Sequence, residues 1–459
     1  MNERPNILMI MADQFRLTTL DGMGDNIPTP NIKRIMDRGV VFTQGCCSCP
    51  LCTPSRASLA TGRYPSRCGV PVHDAVLSPE QPTYYQALRK AGYRVGLAGK
   101  SDLHKADKYC GVNGNLPSMY EYGFTDPFET EGKMNCAWIS YREDGSKRLM
   151  GAYQKYLDKR GLLETINADY KAYMWEKPRY YAAPSVLPDE DFQDTFIGRA
   201  ACDWLSRVED DAPWHYFVSF AGPHNPWDPP REDYEFFRDA SFPPPLADSL
   251  EGKPEWVKRR AAKQTGGMTA EQAQNVRRCY AASVRVVDRW VGELLDVLDQ
   301  RGLADHTVVM FCADHGELLG DHGLFEKKAM YEASVRIPLV VSAPWMTERR
   351  DSEALAQLMD LAPTCLELAG AAYDEREMDA RSLLPLLRGE DGPAAQPHEV
   401  QISELLNCQM VYDGRYKWIR SWNDQDELYD LQEDPDELNN IIGEHPEVTK
   451  RLLAYTFRQ

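Results

Sequence analysis

The sequence predicts an α/β fold in which a large mixed, mostly parallel sheet is flanked by helices and followed by a small C-terminal antiparallel-sheet subdomain. Three observations predict it. The stretches Asn6–Ala12, Tyr93–Ala98 and Thr307–Ala313 are apolar runs of strand length, as expected of strands buried on both faces of a parallel sheet. Helical patterns alternate with them, which is the βαβ rhythm of such a sheet. Beyond about residue 371 the apolar segments shorten and turn signals such as Asp413-Gly414 separate them. At 459 residues the chain exceeds one small core. Residues 1–370 are therefore expected to form the main domain, with an aromatic-rich insertion at about 105–190, and residues 371–459 the subdomain.

The charge balance narrows the function. There are 52 basic and 70 acidic residues, a net charge of −18. Such a surface repels nucleic acid and anionic membranes, so neither is expected as a partner, and an anionic substrate needs a local basic pocket. No apolar run reaches the roughly 20 residues of a membrane span. Asn6–Ala12 is too short for a leader and runs straight into Asp13, so a cytoplasmic location is expected. The 12 cysteines then read as free thiols in a reducing compartment. Self-association into a homo-oligomer is left open.

In chain order, the first strand ends at Asp13-Gln14, which puts polar side chains at its carboxyl end, where open α/β sheets build their sites. Asn31–Gly39 reads as a short helix, and Val40-Val41-Phe42 leads to Cys46, Cys49 and Cys52. That spacing falls short of an iron–sulfur run, because the fourth position is Arg56, and no second ligand pair in register completes a zinc knuckle. If a helix starts near Pro54, Cys52 sits just ahead of its free N–H groups with Arg56 one turn away, the geometry of an anion-binding nucleophile. A buried structural thiol is the competing reading, and the local pattern does not separate the two.

Thr83–Ala91 is helical and closed by Gly92, and the next strand ends in Gly99-Lys100-Ser101. A phosphate-binding P-loop would need glycine at position 94, which is arginine. What stands there is Lys100 with Asp102 and His104. The 105–190 stretch reads as irregular but too aromatic for disorder, so it is expected to shape a pocket. Phe196–Val208 reads as a helix and His215–Phe220 as a strand leading to His224 between two prolines. Ala270–Gln300 is a long amphipathic helix, and the strand Thr307–Ala313 ends in Asp314-His315-Gly316-Glu317. Asp13, Gln14, Asp314 and His315 together would suit a divalent cation. Arg336–Val341 reads as a strand and Ala354–Gly370 as a helix. Short strands follow at Val400–Ser403, Cys408–Tyr412 and Tyr416–Ser421, then a last helix near Glu447–Tyr455.

Taken together, these stretches resemble the type I, formylglycine-dependent sulfatases of the alkaline phosphatase superfamily over nearly the whole chain. The resemblance runs through Asp13-Gln14, Cys52-Thr-Pro-Ser-Arg56 with Thr61-Gly62, Gly99-Lys100, Pro223-His224, Ala313-Asp-His-Gly316, Lys327 ahead of Tyr331-Glu332, Arg336-Ile-Pro338 and Glu427-Leu-Tyr-Asp430 with Asp434-Pro435. It implies an alkaline phosphatase-like main domain that hydrolyses a carbohydrate, aryl or small alkyl sulfate monoester. It further implies that a formylglycine-generating maturation enzyme converts Cys52 to an aldehyde whose hydrate attacks sulfur and expels the alcohol. The resulting sulfate hemiacetal then collapses to aldehyde and sulfate.

Carried over by position, the resemblance gives Asp13, Gln14, Asp314 and His315 as metal ligands and Arg56 as the group holding the diol. Lys100 and Lys327 would bind sulfate oxygens, and His224 would sit at the leaving oxygen. Calcium is the family's usual ion. Gln14 and His315 stand where many arylsulfatases have aspartate and asparagine, which is more similar to choline sulfatases and phosphonate monoester hydrolases and makes manganese more competitive. Two alternatives follow: a phosphonate monoester or phosphodiester hydrolase using the same site, and a silent anion-binding homologue. Asp102 stands where the family often has histidine, which leaves His104 as a candidate base. The loop around His73-Asp74 and the aromatic insertion are expected to face the substrate.

Overall fold

The computed structural model describes residues 4–105, 109–390, 392 and 395–456. Fourteen strands occur among the described residues. They are β1 (Asn6–Asp13), β2 (Gly39–Phe42), β3 (Arg94–Gly99), β4 (Asp126–Glu129), β5 (Ser140–Tyr141), β6 (Lys147–Arg148), β7 (Trp214–Pro223), β8 (Thr307–Ala313), β9 (Leu339–Ser342), β10 (Arg350–Ser352), β11 (Gln401–Leu405), β12 (Cys408–Tyr412), β13 (Tyr416–Ser421) and β14 (Glu427–Asp430). Eight make one sheet in the order β10-β2-β9-β8-β1-β7-β3-β4. All its neighbours run parallel except β9, which is antiparallel to both β2 and β8. Strands β11 to β14 make a separate antiparallel meander. The expected fold class is the one observed.

The centre of the sheet is apolar because helices cover both of its faces. Ile7 to Ala12 of β1 and Val308 and Met310 to Ala313 of β8 are buried, and every residue of β7 is buried. The helix Ala270–Gln300 follows its expected bounds, opens with a Thr269–Gln272 capping box, and packs on β7 and on the helix Gln193–Arg207. Register then decides where the site lies. Ala12 pairs with Ala313, Asp13 with Pro223, and Gly99 with Ser219, so β1, β8, β7 and β3 reach their carboxyl ends side by side.

Several expected bounds shift. The helix expected over 31–39 is Pro30–Met36, and the one over 354–370 is a 3₁₀ turn, Leu358–Asp360, followed by the helix Leu361–Leu368. The strand expected from Arg336 begins at Leu339, because Pro338 cannot donate a ladder hydrogen bond and Arg336 makes only an isolated bridge to Cys46. The final helix is Pro446–Leu452 with a 3₁₀ turn after it. The 105–190 stretch departs most from expectation. Its described residues hold the helices Ala152–Arg160 and Leu163–Trp175, the hairpin β5–β6, and β4, which is an edge strand of the main sheet. The sequence Asp-Pro-Phe-Glu of β4 lacks apolar alternation because an edge strand tolerates charge and proline. The two helices share a small core of their own around Tyr153, Leu157, Ile166 and Tyr170, and its aromatic residues blur the helical period. Residues 106–108 lie outside the described residues.

Candidate active site

The site is organised by the helix Cys52–Thr61, which begins two residues before the expected start at Pro54. Leu51 is extended, Ser55 N–H closes onto Leu51 O at 3.0 Å, and Pro54 falls in the first turn, where no N–H partner is needed. The helix stops at Gly62, whose φ of 66° is left-handed. All ten residues are buried, so its polar side chains need internal partners. Ser55 Oγ donates to Asp314 O at 2.6 Å. Arg56 spends its guanidinium on four acceptors: Asp314 Oδ2 at 2.8 Å, Asp13 Oδ2 at 3.2 Å, Lys100 O at 2.6 Å and Ser219 Oγ at 2.7 Å. One side chain thereby ties the ends of β1, β3, β7 and β8 together.

Cys52 is fully buried and points into the same cluster. Its Sγ lies 3.2 Å from His315 Nε2 and 3.8 Å from Asp13 Oδ1. Asp13, Cys52, Asp314 and His315 each turn one ligand atom to a common point, and those atoms lie within 4.8 Å of one another. His315 Nδ1 sits 3.0 Å from Gly316 O, an atom that can only accept, so Nδ1 carries the proton and Nε2 keeps its lone pair for the cluster. Gln14 follows Asp13 in left-handed backbone at φ 67°, and its amide oxygen accepts from Lys327 Nζ. Two carboxylates, an amide oxygen and an imidazole nitrogen fit a divalent cation.

Cationic groups crowd this cluster. Lys100 Nζ pairs with Asp13 and lies 3.0 Å from Asp102 Oδ2. Gly99, at φ 101°, lets β3 pass so close to β7 that a Cβ there would collide with Ser219 O. Lys327 Nζ lies 2.7 Å from His224 Nε2 and sits between two left-handed residues, Glu326 (φ 67°) and Lys328 (φ 72°). Burial alone would raise the Asp13 carboxyl, but Lys100, Arg56 and Lys327 hold it well below the usual carboxylate range. Burial and Asp13 push the Cys52 thiol up, while Lys100 and Lys327 outweigh them and bring it well below an ordinary thiol. Burial and the neighbouring Lys327 keep the His224 imidazole well below its usual value, hence neutral.

A cavity of about 200 Å3 opens over Lys100 and His224, with His73, Lys133 and Trp138 in its wall. His73 therefore faces the expected pocket, and burial and Lys105 lower its imidazole to about 3. His104 is buried, with Nε2 2.6 Å from Glu129 Oε2 at the end of β4. A larger cavity of about 620 Å3 lies by Asn6, Trp214 and His306, where β1, β7 and β8 begin. The convergent polar groups stand at the opposite, carboxyl end, and we locate the site there.

Sequence reasoning missed four participants. Ser219 takes an Arg56 hydrogen bond, and a serine inside an apolar strand was a usable signal. Glu317 and Asn225 accept from Gln14 Nε2. Arg260 clamps the strained loop from outside by donating to the carbonyls of Phe325, Lys327 and Lys328. No local pattern marks an arginine in the half-buried helix Glu255–Thr265 for that task.

The family model described as Sulfatase matches residues 5–371, and one described as N-sulphoglucosamine sulphohydrolase, C-terminal, matches residues 320–455. A choline-sulfatase of Rhizobium meliloti (strain 1021) is 30% identical, with the match covering 96% of this chain and 83% of that protein. An N-acetylglucosamine-6-O-sulfatase of Bacteroides thetaiotaomicron is 27% identical across 98% of this chain and 85% of its own. The solved structure of a phosphonate monoester hydrolase of Agrobacterium radiobacter shares the fold with a TM-score of 0.79, at 23% identity, over 98% of this chain and 94% of that one.

Proposed function

This chain belongs to the sulfatase family and is a sulfuric ester hydrolase, and from that premise we propose that it hydrolyses a carbohydrate, aryl or small alkyl sulfate monoester with residue 52 at the reacting centre. The observation that carries the reading is the convergence of Cys52 with Asp13, Asp314 and His315, ringed by Lys100, Lys327 and His224. Asp13, Gln14, Asp314 and His315 would hold a divalent cation, calcium or manganese. Such an ion supplies positive charge that acidifies an oxygen nucleophile and neutralises sulfate oxygens. Conversion of Cys52 to formylglycine would supply that oxygen as an aldehyde hydrate.

The chain's own side chains do the rest. Arg56 fixes the relative positions of Asp13 and Asp314 and so of the whole ligand set. Lys100 and Lys327 present ammonium groups to the sulfate, where charge accumulates as the ester oxygen departs. His224 accepts from Lys327 through Nε2, which aims that ammonium at the leaving oxygen. Burial of the cluster excludes bulk water and strengthens each of these interactions. His73 faces the leaving group from the cavity wall. His104, hydrogen-bonded to Glu129, supports the far side of the Lys100 loop rather than the reacting atoms. We assign the chemistry to residues 1–370 and a supporting role to 371–459, whose Lys417 pairs with Glu332 at 2.9 Å beside the Lys327 loop.

The test starts from protein co-produced with a formylglycine-generating enzyme. The peptide carrying residue 52 should show the mass of the aldehyde, and the metal-replete protein should release sulfate from an aryl or carbohydrate sulfate faster than it cleaves a phosphonate monoester. Full activity with the thiol intact would refute the nucleophile assignment. Faster phosphonate cleavage would move the chain to the other hydrolase class, and no turnover of either ester by converted protein would favour a silent anion binder.

A further inference from the structure

We infer that Glu317 is a positioning residue that sets the polarity of the Gln14 amide, turning its oxygen towards the cation site and its nitrogen away. The inference rests on Gln14 being a metal ligand. A glutamine amide has two ends of nearly equal shape, and only the oxygen can bind a cation. A carboxylate in its place would need no such control. At this position the amide lies between a group that can only accept and a group that can only donate. Its Nε2 donates to Glu317 Oε2 and, at 3.2 Å, to Asn225 Oδ1. Its Oε1 accepts from the Lys327 ammonium.

Neither acceptor is free to swap ends. The other oxygen of Glu317, Oε1, takes the backbone N–H groups of Leu319 at 2.8 Å and Glu326 at 2.6 Å, which leaves Oε2 for Gln14. Asn225 donates its own Nδ2 to Tyr173 OH at 3.1 Å and to Glu326 Oε1 at 3.4 Å, so its Oδ1 must face Gln14. Glu317 is fully buried, and the left-handed backbone of Gln14 holds the amide against it. The polarity is thus written into a chain of donors and acceptors running from two backbone N–H groups to the site.

A specific perturbation follows. In Glu317→Gln, which keeps the shape, the new amide oxygen must stay on the Leu319 and Glu326 N–H groups. The new NH2 then faces Gln14 Nε2, donor against donor. Gln14 must either tolerate that contact or flip and offer N–H to the cation. The experiment titrates metal-stripped protein with calcium and, separately, manganese in a calorimeter, which reads binding rather than turnover.

Glu317→Gln should weaken binding about ten- to a hundredfold, the usual range for removing a partner of a metal ligand. Combining it with Gln14→Glu restores an acceptor opposite the new NH2 and should recover affinity, whereas Gln14→Glu alone sets two carboxylates face to face and should not. If the single Glu317→Gln variant does not fold, judged by its melting curve, the double variant against Gln14→Glu alone still reads the same coupling. Unchanged affinity in Glu317→Gln overturns the inference, as does a loss that Gln14→Glu leaves unrecovered. Wild-type protein that binds neither ion overturns it together with the cation assignment, an outcome distinct from the other two.

Discussion

Replacing Arg56 by methionine removes the guanidinium that bridges Asp13 and Asp314, and the structure allows the cost to be worked out. The two contacts are 2.8 and 3.2 Å long, and all three groups are buried. At an effective dielectric constant near 20, the gross Coulomb terms are about 6 and about 5 kcal/mol. Desolvating the guanidinium offsets most of that, but the carboxylates stay buried when it goes, and breaking such a pair costs about 3–5 kcal/mol net. Asp13 keeps Lys100, while Oδ2 of Asp314 loses its ion-pair partner. Arg56→Lys retains the charge but reaches fewer of the four acceptors, so about 1–3 kcal/mol is expected. Urea unfolding of metal-stripped protein, followed by the fluorescence of its 10 tryptophans, measures both variants. A loss below about 1 kcal/mol for methionine, or equal losses for both variants, would refute the bridging argument.

Three further outcomes are expected. Lys327→Met should lower kcat/KM for an aryl sulfate about 10²- to 10³-fold in formylglycine-converted protein, the scale of losing one group that stabilises developing charge; a change within about fivefold would remove Lys327 from the reacting centre. Glu332 is held at about 2, against 4.5 ordinarily, because Arg336 and Lys417 outweigh the burial that would raise it. A depressed folded value stabilises above the unfolded one, so this contribution, at most about 3 kcal/mol, is complete above pH 4.5 and fades as pH falls towards 2. Denaturant midpoints measured against pH should therefore fall less steeply over that window in Glu332→Gln than in wild type; parallel curves would contradict the pairing. Gly62→Ala should destabilise by about 1–2 kcal/mol, since its φ is 66° and its Cβ would meet Met378 Sδ at 2.9 Å. Shortening Met378 to alanine should relieve only the steric part of that loss, and complete recovery in the double variant would show that the backbone contributes nothing.

Much of the molecule was legible because its signals are local. A strand buried on both faces must be apolar along its length, so β1 and β8 stand out, and their polar ends at Asp13-Gln14 and Asp314-His315 mark where the sheet stops and chemistry can begin. The ordered motifs around Cys52, Lys100, His224 and Lys327 identified the family, and the structure gathers all four around Asp13. Edge strand β4 and the helices of the 105–190 stretch were not legible: an edge carries no apolar alternation, and helices packed through tyrosines lose their period.

Only the tertiary structure decided what depends on pairing between distant segments. The register of β3, β7, β1 and β8 determines that four strand ends are level and that Arg56 can span them. It also separates His73, in the cavity wall, from His104, which turns to Glu129. The sequence determined that a glutamine stands at position 14. Which end of its amide faces the site is decided by Glu317 and Lys327, some three hundred residues away, because an amide has no polarity of its own to choose with until a donor and an acceptor are folded against it.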